Sequence, residues 1–176
     1  MTLPDPDWIQ VVLDRYEQPL IRYAAHITGD IERARDVVQD TFLKLCRRGA
    51  PAGGDSLAPW MYAVCRNGAL DVRRKEKRMT AIDQSRLQQL PVKPDFPAAL
   101  ERNERLAEVM QVLATLPENQ QEVLRLKFQG GLSYREIGQV AHLSIGNVGF
   151  LIHAGIQAIR EAMQAQPGSG AARRGR

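Results

Sequence analysis

Basic side chains are concentrated between Arg66 and Arg78, where the sequence places six lysines and arginines beside two acidic residues. Lysine and arginine neutralise phosphates, and Asn67 at the start of the run carries an amide that can hydrogen-bond the exposed edge of a base. The segment therefore has the composition of a nucleic-acid contact. Solvated helix faces have a similar composition, and the run alone leaves both interpretations open.

The net charge is distributed unevenly along the chain. The 176 residues hold 24 lysines and arginines and 20 aspartates and glutamates, a formal charge of +4. Residues 1–80 carry 13 basic and 11 acidic side chains, residues 101–165 carry six and seven, and residues 166–176 add three arginines. Charge therefore indicates a DNA contact more strongly in the N-terminal part of the chain than in the C-terminal part.

No pattern typical of an enzyme active site occurs in the sequence. It has no glycine-rich phosphate loop, no nucleophile–base motif and no spacing of metal ligands, so we predict no catalytic residue, metal or cofactor. His26, His142 and His153 are isolated from one another and are expected to be structural or surface groups. Cys65 lies on an apolar stripe and is expected to be a buried thiol. Since no apolar run approaches the roughly 18 residues that span a bilayer, we predict no membrane insertion. Two cysteines are too few for a disulfide framework, so a reduced cytoplasmic compartment is expected.

Helical periodicity extends through the sequence, and no stretch alternates with period two for long enough to predict a strand. We therefore predict an all-α fold of two small helical domains joined by a flexible linker. The predicted boundaries are residues 1–80 for the first domain, 81–98 for the linker, 99–165 for the second domain, and 166–176 for a basic tail that we expect to be disordered.

Apolar spacing, prolines and capping residues predict the individual helices. In the N-terminal part, helices are expected over Trp8–Ile27, with a kink or short break at Pro19, over Ile31–Arg48 after an Asp30 cap, and over Leu57–Arg78 after a Ser56 cap. In the C-terminal part, one helix is expected over Leu100–Leu116. The next is expected to have Pro117 as its first residue and to end at the glycines at 130 and 131.

A helix-turn-helix pattern follows. Ser133 and Glu136 have the spacing of a capping box, a tight turn follows at residues 142–144, and a longer helix begins at Ile145. In DNA-binding proteins the second helix of this motif enters the major groove. The same spacing also occurs in helical hairpins that bind nothing, so the pattern alone leaves both interpretations open.

Five motifs in order resemble the bacterial extracytoplasmic function (ECF) sigma factors, the small two-domain members of the sigma-70 family. They are Tyr16–Tyr23, Asp36–Lys44, Pro59–Arg74, Leu116–Leu126 and Leu132–Ile137. The resemblance covers about residues 8–164. It implies a protein that is not an enzyme, binds core RNA polymerase, directs it to promoter DNA and helps to open the −10 region. An anti-sigma factor is a further partner that the resemblance implies.

The resemblance also implies a role for each matched segment. Docking on core RNA polymerase is expected from Asp36, Gln39, Asp40 and Phe42. Contact with the −10 element is expected from Arg66, Asn67, Asp71, Arg73, Arg74, Lys75, Lys77 and Arg78. Contact with the −35 element is expected from Ser133, Tyr134, Arg135, Ser144, Asn147, Phe150 and His153. Trp60 also matches the −10 segment, but its place on an apolar stripe favours packing in the core.

The second helix of the helix-turn-helix departs from the family pattern, which usually places several lysines and arginines after the turn. The positions where basic residues would be expected are Gly149, Leu151, Ala154 and Ile156. Three interpretations stay open. In the first, the helix N-terminus with Ser144 and Asn147 binds a phosphate and contacts a base. In the second, Phe150 contacts either thymine methyl groups or a partner protein. In the third, binding to the −35 element is weak. In the last case the −10 element determines promoter choice.

Two other functions fit parts of the same sequence. A stand-alone helix-turn-helix regulator would bind duplex DNA tightly as a dimer, which the neutral second helix disfavours. A sigma-like adaptor would dock on the polymerase without recognising promoters. Transcription with purified core enzyme distinguishes these two functions from that of a sigma factor.

Overall fold

Seven α-helices form the part of the chain that the computed structural model describes, which comprises residues 6–49, 57–82 and 104–165. The helices are α1 (Pro6–Thr28), α2 (Ile31–Arg48), α3 (Leu57–Ile82), α4 (Glu104–Thr115), α5 (Glu118–Phe128), α6 (Tyr134–Ala141) and α7 (Ile145–Ala165). We call α1–α3 the N-terminal module and α4–α7 the C-terminal module. The all-α prediction is confirmed, and no strand occurs in the described ranges.

The N-terminal module packs three helices around a shared apolar core. α2 begins after Asp30, whose carboxylate accepts a hydrogen bond from the Arg33 amide at 3.0 Å, and it ends at Gly49, where φ is +79°. Both bounds agree with the prediction. Cys65 is fully buried on α3, as predicted, and burial raises the pKa of its thiol to about 12, so the thiol stays protonated at neutral pH.

Helices α1, α3 and α5 differ from the prediction. α1 continues through Pro19 without a break, because Leu20 and Tyr23 are fully buried and their packing outweighs the roughly 3 kcal/mol that an interior proline costs. α3 extends to Ile82 and therefore continues past the basic run. α5 begins at Glu118, which makes Pro117 the N-cap and not the first helical residue. The predictions for the Ser56 cap, residues 83–103 and residues 166–176 fall outside the described residues.

α6 and α7 form the predicted helix-turn-helix. The Glu136 amide donates to Ser133 Oγ at 3.3 Å, and the Ser133 amide donates to Glu136 Oε2 at 2.8 Å, which completes the predicted capping box. After α6 the chain turns at His142 in the left-handed conformation, with φ 58° and ψ 45°. Gly138 is required at this turn, because a Cβ there would lie 2.7 Å from the Leu143 carbonyl oxygen.

The two modules contact each other along α3. Tyr62 of α3 is buried and packs edge-on against Tyr23 of α1, with ring centroids 5.3 Å apart. Gly130, which follows α5, approaches the same ring so closely that an added Cβ would lie 3.1 Å from it. α3 also packs against α6. α3, which also carries the basic run, is therefore positioned beside the C-terminal module.

Candidate functional site

A groove of about 770 Å³ lies along α3 and contains most of the residues predicted to contact the −10 element. Its lining residues are Asn67, Leu70, Asp71, Arg73, Arg74, Lys77 and Arg78. We call it the α3 groove. Helical spacing of three and four residues places these side chains on one face. Six of the eight predicted residues are thus brought together. Sequence reasoning missed Leu70, although the same spacing could have identified it.

The α3 groove combines positive charge with one oriented carboxylate. Arg74, Lys77 and Arg78 are exposed to solvent, as is the amide of Asn67. Asp71 forms an ion pair with Arg74 one turn further along α3, which holds that guanidinium at the edge of the groove. A strand of nucleic acid placed here would find cations for its phosphates and an amide for a base edge.

Lys75 lies outside the α3 groove. It is exposed on α3, but it is not among the residues that line the groove. The physical reason is the helical repeat, since position 75 points away from the face shared by positions 70, 74 and 77.

Arg66 also lies outside the α3 groove and binds Glu122 of α5. Its Nε donates to Glu122 Oε1 at 2.7 Å, and its Nη2 donates to Oε2 at 3.2 Å. The Tyr23 hydroxyl donates to the same Oε1 at 2.8 Å. We call Tyr23, Arg66 and Glu122 the Glu122 cluster. The hydrogen bond to Glu122 raises the pKa of Arg66, and burial, together with the Glu122 carboxylate, raises the pKa of Tyr23.

A second ion pair joins α3 to α5 at an exposed edge. Arg73 Nη1 lies 3.4 Å from Glu118 Oε2, and the Glu118 side chain is 81% exposed. Water screens such a pair, so it contributes little to stability. Two residues predicted to contact the −10 element therefore face carboxylates of α5.

Sequence reasoning missed Glu122 and Tyr23 as partners of Arg66. Tyr23 and Glu122 are 99 positions apart, and Arg66 and Glu122 are 56 positions apart. Helical periodicity relates residues three or four positions apart and carries no signal at these distances. Glu122 lies inside a recognised motif, but nothing in that motif indicates a contact with α3.

The residues predicted to dock on core RNA polymerase separate into two kinds. Asp36, Gln39 and Asp40 are exposed on one face of α2. Phe42 is 8% exposed and belongs to the hydrophobic core, so its side chain is not part of that surface. Its position one turn after the buried Val38 places it on the inner face of the helix.

Trp60 is partly buried and packs against the core. The Arg48 guanidinium lies over its ring, 5.0 Å from the centroid. The expectation that this residue packs in the core agrees with this position.

All seven residues predicted to contact the −35 element are exposed on the helix-turn-helix. Ser133 and Ser144 have structural roles there: Ser133 caps α6, and Ser144 Oγ accepts a hydrogen bond from the Asn147 amide at 3.2 Å. The Lys127 ammonium lies over the Tyr134 ring at 5.5 Å, which adds one cation beside the motif. The capping contacts thus fix the start of each helix, and all seven side chains stay at the surface.

The exposed face of α7 carries almost no charge. No lysine or arginine occurs from Ile145 to Ile159. Phe150 is 68% exposed on this face, with Asn147 and His153 also exposed. Leu151, one of the positions where the family pattern would place a basic residue, is 5% exposed and lies in the core. A DNA duplex placed against α7 would find amide, imidazole and aromatic groups but few cations.

Two classes of site are not found among the described residues. Residues 6–49, 57–82 and 104–165 contain no group of three histidine, cysteine or acidic side chains placed to hold a metal ion. No helix in those ranges is long and apolar enough to cross a membrane.

The sequence matches two protein-family descriptions. Residues 12–79 match Sigma-70 region 2, and residues 106–159 match Sigma-70, region 4. The first match contains the α3 groove and the exposed face of α2. The second contains the helix-turn-helix.

Curated relatives match across most of the chain. The ECF RNA polymerase sigma factor SigL of Mycobacterium tuberculosis is 28% identical over 162 residues, which cover 89% of this chain and 89% of SigL. The ECF RNA polymerase sigma factor SigM of Bacillus subtilis is 26% identical over 143 residues, 79% of this chain and 85% of SigM.

Solved structures share the fold. The sigma factor RpoE in complex with the anti-sigma factor NepR from Bartonella quintana superposes with a TM-score of 0.69 at 21% identity, covering 92% of this chain and 99% of that one. CnrH in complex with the cytosolic domain of CnrY superposes with a TM-score of 0.61 at 21% identity, covering 92% and 91%.

Proposed function

Because the chain belongs to the sigma-70 family, as a member of its extracytoplasmic function (ECF) group, we propose that it binds core RNA polymerase and directs the enzyme to particular promoters. Residues 1–80 form the domain for polymerase binding and −10 opening, 81–98 the linker, and 99–165 the −35 domain, followed by a basic tail. The observation that supports this function most directly is the α3 groove, which gathers four cations and an exposed amide on one helix face.

The α3 groove is the proposed contact with the separated strands of the −10 element. Arg74, Lys77 and Arg78 place cations within about one helical turn, where successive phosphates can bind. Asn67 offers an amide to a base edge, and Leu70 offers an apolar surface to a base face. Holding a base outside the duplex costs a few kcal/mol, and these contacts offset that cost.

The proposed polymerase contact is the exposed face of α2. Asp36, Gln39 and Asp40 are spaced three and four residues apart, so their oxygens lie side by side along the helix. Carboxylates in this arrangement suit a partner helix rich in arginine. Phe42 supports this face from inside the core and does not itself contact the partner.

The helix-turn-helix is the proposed −35 contact, with base edges more important than phosphates. The Asn147 amide can bind adenine through two hydrogen bonds, and Phe150 can pack on thymine methyl groups. Arg135 on α6 is an exposed cation that can position the motif on a phosphate. Binding here is weaker than in a motif whose second helix is basic.

Three further features follow from the proposed function. The chain acts in the cytoplasm, where the polymerase is found, and it contributes no catalytic residue, since phosphodiester chemistry belongs to the polymerase. An anti-sigma factor is the proposed regulator. The solved structures of RpoE and CnrH support this proposal. RpoE was solved in complex with the anti-sigma factor NepR, and CnrH in complex with the cytosolic domain of CnrY.

Run-off transcription with purified core polymerase and a genomic promoter library tests the proposal. We expect initiation at a defined set of promoters only when the chain is added. Changing Gln39 and Asp40 together to alanine is expected to weaken core binding about tenfold, because two groups that face the partner are lost. Asp14→Ala, on the exposed surface of α1, is the control and should leave core binding unchanged.

Two results would replace the proposed function with another. Intact binding to core without any promoter-dependent initiation would show a sigma-like adaptor. Tight binding to duplex DNA by the chain alone, as a dimer and without polymerase, would show a stand-alone helix-turn-helix regulator.

A further inference from the structure

Another cavity, of about 330 Å³, shares no lining residue with the α3 groove. Its lining residues come from positions 15–19 of α1, positions 58–62 of α3 and positions 128–136, which join α5 to α6. We call it the junction cavity. Its volume lies within the range of about 300–1,000 Å³ that is typical of sites for small molecules. None of its lining residues is proposed to contact the polymerase or DNA, so a ligand here is independent of the proposed function.

Two buried polar atoms on lining residues of the junction cavity have no hydrogen-bond partner among the described residues. One is the hydroxyl of Tyr62, a residue that is 1% exposed. Burial raises the pKa of this hydroxyl to about 12, so it stays protonated at neutral pH and able to donate. The other is Gln129 Oε1, which can only accept. Because unpaired buried polar atoms cost free energy, a ligand that offers both an acceptor and a donor would gain from pairing them.

Two lining residues of opposite charge face the same cavity from different helices. Arg15 of α1 is exposed, and its guanidinium lies 5.3 Å from the centroid of the Tyr16 ring, another lining side chain. Glu136 at the start of α6 contributes a carboxylate, of which Oε2 accepts a hydrogen bond from the Ser133 amide at 2.8 Å. A ligand with a single charge would be attracted by one of these groups and repelled by the other. A ligand that carries both charges can match both groups.

The remaining wall of the junction cavity includes apolar side chains. Pro19, Ala58 and Leu132 provide aliphatic surface, and Ala58 and Leu132 are buried. The loop after α5 is fixed by its backbone, because the Leu132 amide donates to the Leu126 carbonyl at 3.2 Å. The wall is therefore ordered before any ligand binds, which lowers the entropic cost of binding.

We propose that the junction cavity binds a free α-amino acid with an apolar side chain. The carboxylate of the amino acid faces the Arg15 guanidinium and accepts a hydrogen bond from the Tyr62 hydroxyl. Its ammonium group donates to Gln129 Oε1 and is attracted by the Glu136 carboxylate. Its side chain packs on the aliphatic part of the wall. One ligand thus pairs both buried polar atoms, matches both charges and removes apolar surface from water.

Isothermal titration calorimetry of the full chain with L-leucine tests the proposal. We expect one molecule of leucine to bind per chain. Two matched probes each lack one charged group: 4-methylpentanoate is leucine without its ammonium group, and 3-methylbutylamine is leucine without its carboxylate. Each should bind at least about tenfold more weakly than leucine, because one charge and its hydrogen bonds are lost.

Variants of the lining residues locate the bound leucine. Arg15→Gln removes the cation that faces the ligand carboxylate, and Tyr62→Phe removes the hydroxyl that donates to it. Each should weaken leucine binding by about fivefold to tenfold. The matched control is Arg47→Gln, because Arg47 is an exposed arginine of α2 that does not line the cavity. This control should change the affinity by less than about twofold.

Thermal unfolding of Tyr62→Phe without ligand separates a loss of binding from a loss of folding. Removing a buried hydroxyl that has no partner should leave the Tm unchanged or raise it. A clear fall in the Tm would overturn the claim that this hydroxyl is available to a ligand.

Three binding results would also overturn the proposal. No binding of leucine would show that the cavity holds water alone. Equal affinity for leucine and either matched probe would show that the site does not recognise an amino acid. Unchanged leucine binding by both Arg15→Gln and Tyr62→Phe would place the ligand elsewhere on the chain. Absence of polymerase-dependent transcription is a separate result and counts only against the proposed function.

Discussion

The α3 groove and the exposed face of α7 are both proposed to contact promoter DNA, yet their chemistry differs. The α3 groove gathers four cations with an exposed amide and an apolar side chain. α7 has no lysine or arginine from Ile145 to Ile159, and its most exposed large hydrophobic side chain is Phe150. Both regions are regular, well-packed helices, so the difference lies in charge and not in geometry.

This difference shows that the shape of a DNA-binding motif and its affinity for DNA are set by separate residues. The capping box at Ser133, the turn at His142 and the buried face of α7 are requirements of packing. Phosphate contacts supply most of the affinity, and base contacts supply the discrimination. We therefore expect the N-terminal module to supply affinity and the C-terminal module to supply a modest preference among bases.

The largest expected effect comes from removing charge from the α3 groove. Changing Arg73 and Arg74 together to glutamine should reduce open-complex formation by more than about a hundredfold, because two phosphate contacts are lost where the strands must be held apart. The plot of log affinity against log salt should become shallower by about 1.4. Fluorescence of a base analogue in the −10 element measures both quantities.

Binding to core polymerase is the control for this double variant. It should equal that of the unchanged chain, since the exposed face of α2 is untouched. Undiminished open complexes would show that the α3 groove is not the principal DNA contact.

A smaller effect concerns His26, which lies where the two modules meet. Burial is the main cause that lowers its pKa to about 4. The positive charge of Arg125 on α5 lowers the pKa further, and that of Arg73 on α3 does so more weakly. The carboxylates of Glu122 and Glu118 act in the opposite direction. The folded state therefore favours neutral imidazole. This stabilisation is complete above about pH 6.5 and is lost as the pH falls towards 4.

The loss should amount to about 2 kcal/mol of unfolding free energy, after an allowance for partial exposure. Urea denaturation at several pH values measures it. A His26→Gln variant should lack this part of the pH dependence, whereas a variant of the exposed His153 should retain it. Identical pH profiles for the His26 variant and the unchanged chain would contradict the assignment.

A still smaller effect is expected on α7. Asn147→Ala should weaken binding about fivefold at promoters whose −35 element carries adenine opposite this residue, with no change in salt dependence, because a base contact and not a phosphate contact is removed. Gln157→Ala, further along the exposed face, is the control. Competition between promoter variants measures the preference. Equal loss at every promoter would indicate that Asn147 contacts the backbone.

The smallest effect comes from adding charge where α7 lacks it. Gly146→Lys should fit, because nothing lies within 4 Å of an added Cβ at this position. This change should strengthen holoenzyme binding to promoters about threefold. The slope of log affinity against log salt should steepen by about 0.9, because one further phosphate is neutralised. Gly146→Gln controls for the change of shape. An unchanged salt plot would show that this face of α7 does not lie against DNA.

Local residue patterns were sufficient to predict the helices and the helix-turn-helix. The Asp30 cap and the Ser133–Glu136 capping box act over three residues, and both occur as predicted. The spacing of the basic run placed most of its side chains on one helix face, which the structure shows as the α3 groove. These features depend on neighbours in sequence, and therefore the sequence alone contains them.

Features that depend on packing between distant segments were missed. Helix α1 passes through Pro19 because buried neighbours outweigh the cost of an interior proline. Phe42 is 8% exposed and packs in the hydrophobic core, although its motif suggested a docking residue. The pairing of Arg66 with Glu122 joins residues 56 positions apart, and only the folded arrangement of both modules reveals it.

The most direct test of the difference between the two regions is the salt dependence of holoenzyme binding to two DNAs. One is a fork that ends just upstream of the −10 element, and the other extends as duplex through the −35 element. Extension should steepen the slope of log affinity against log salt by no more than about 1, since the helix-turn-helix offers few cations. A steepening of about 3 or more would contradict the account, because α7 and its surroundings would then neutralise several phosphates.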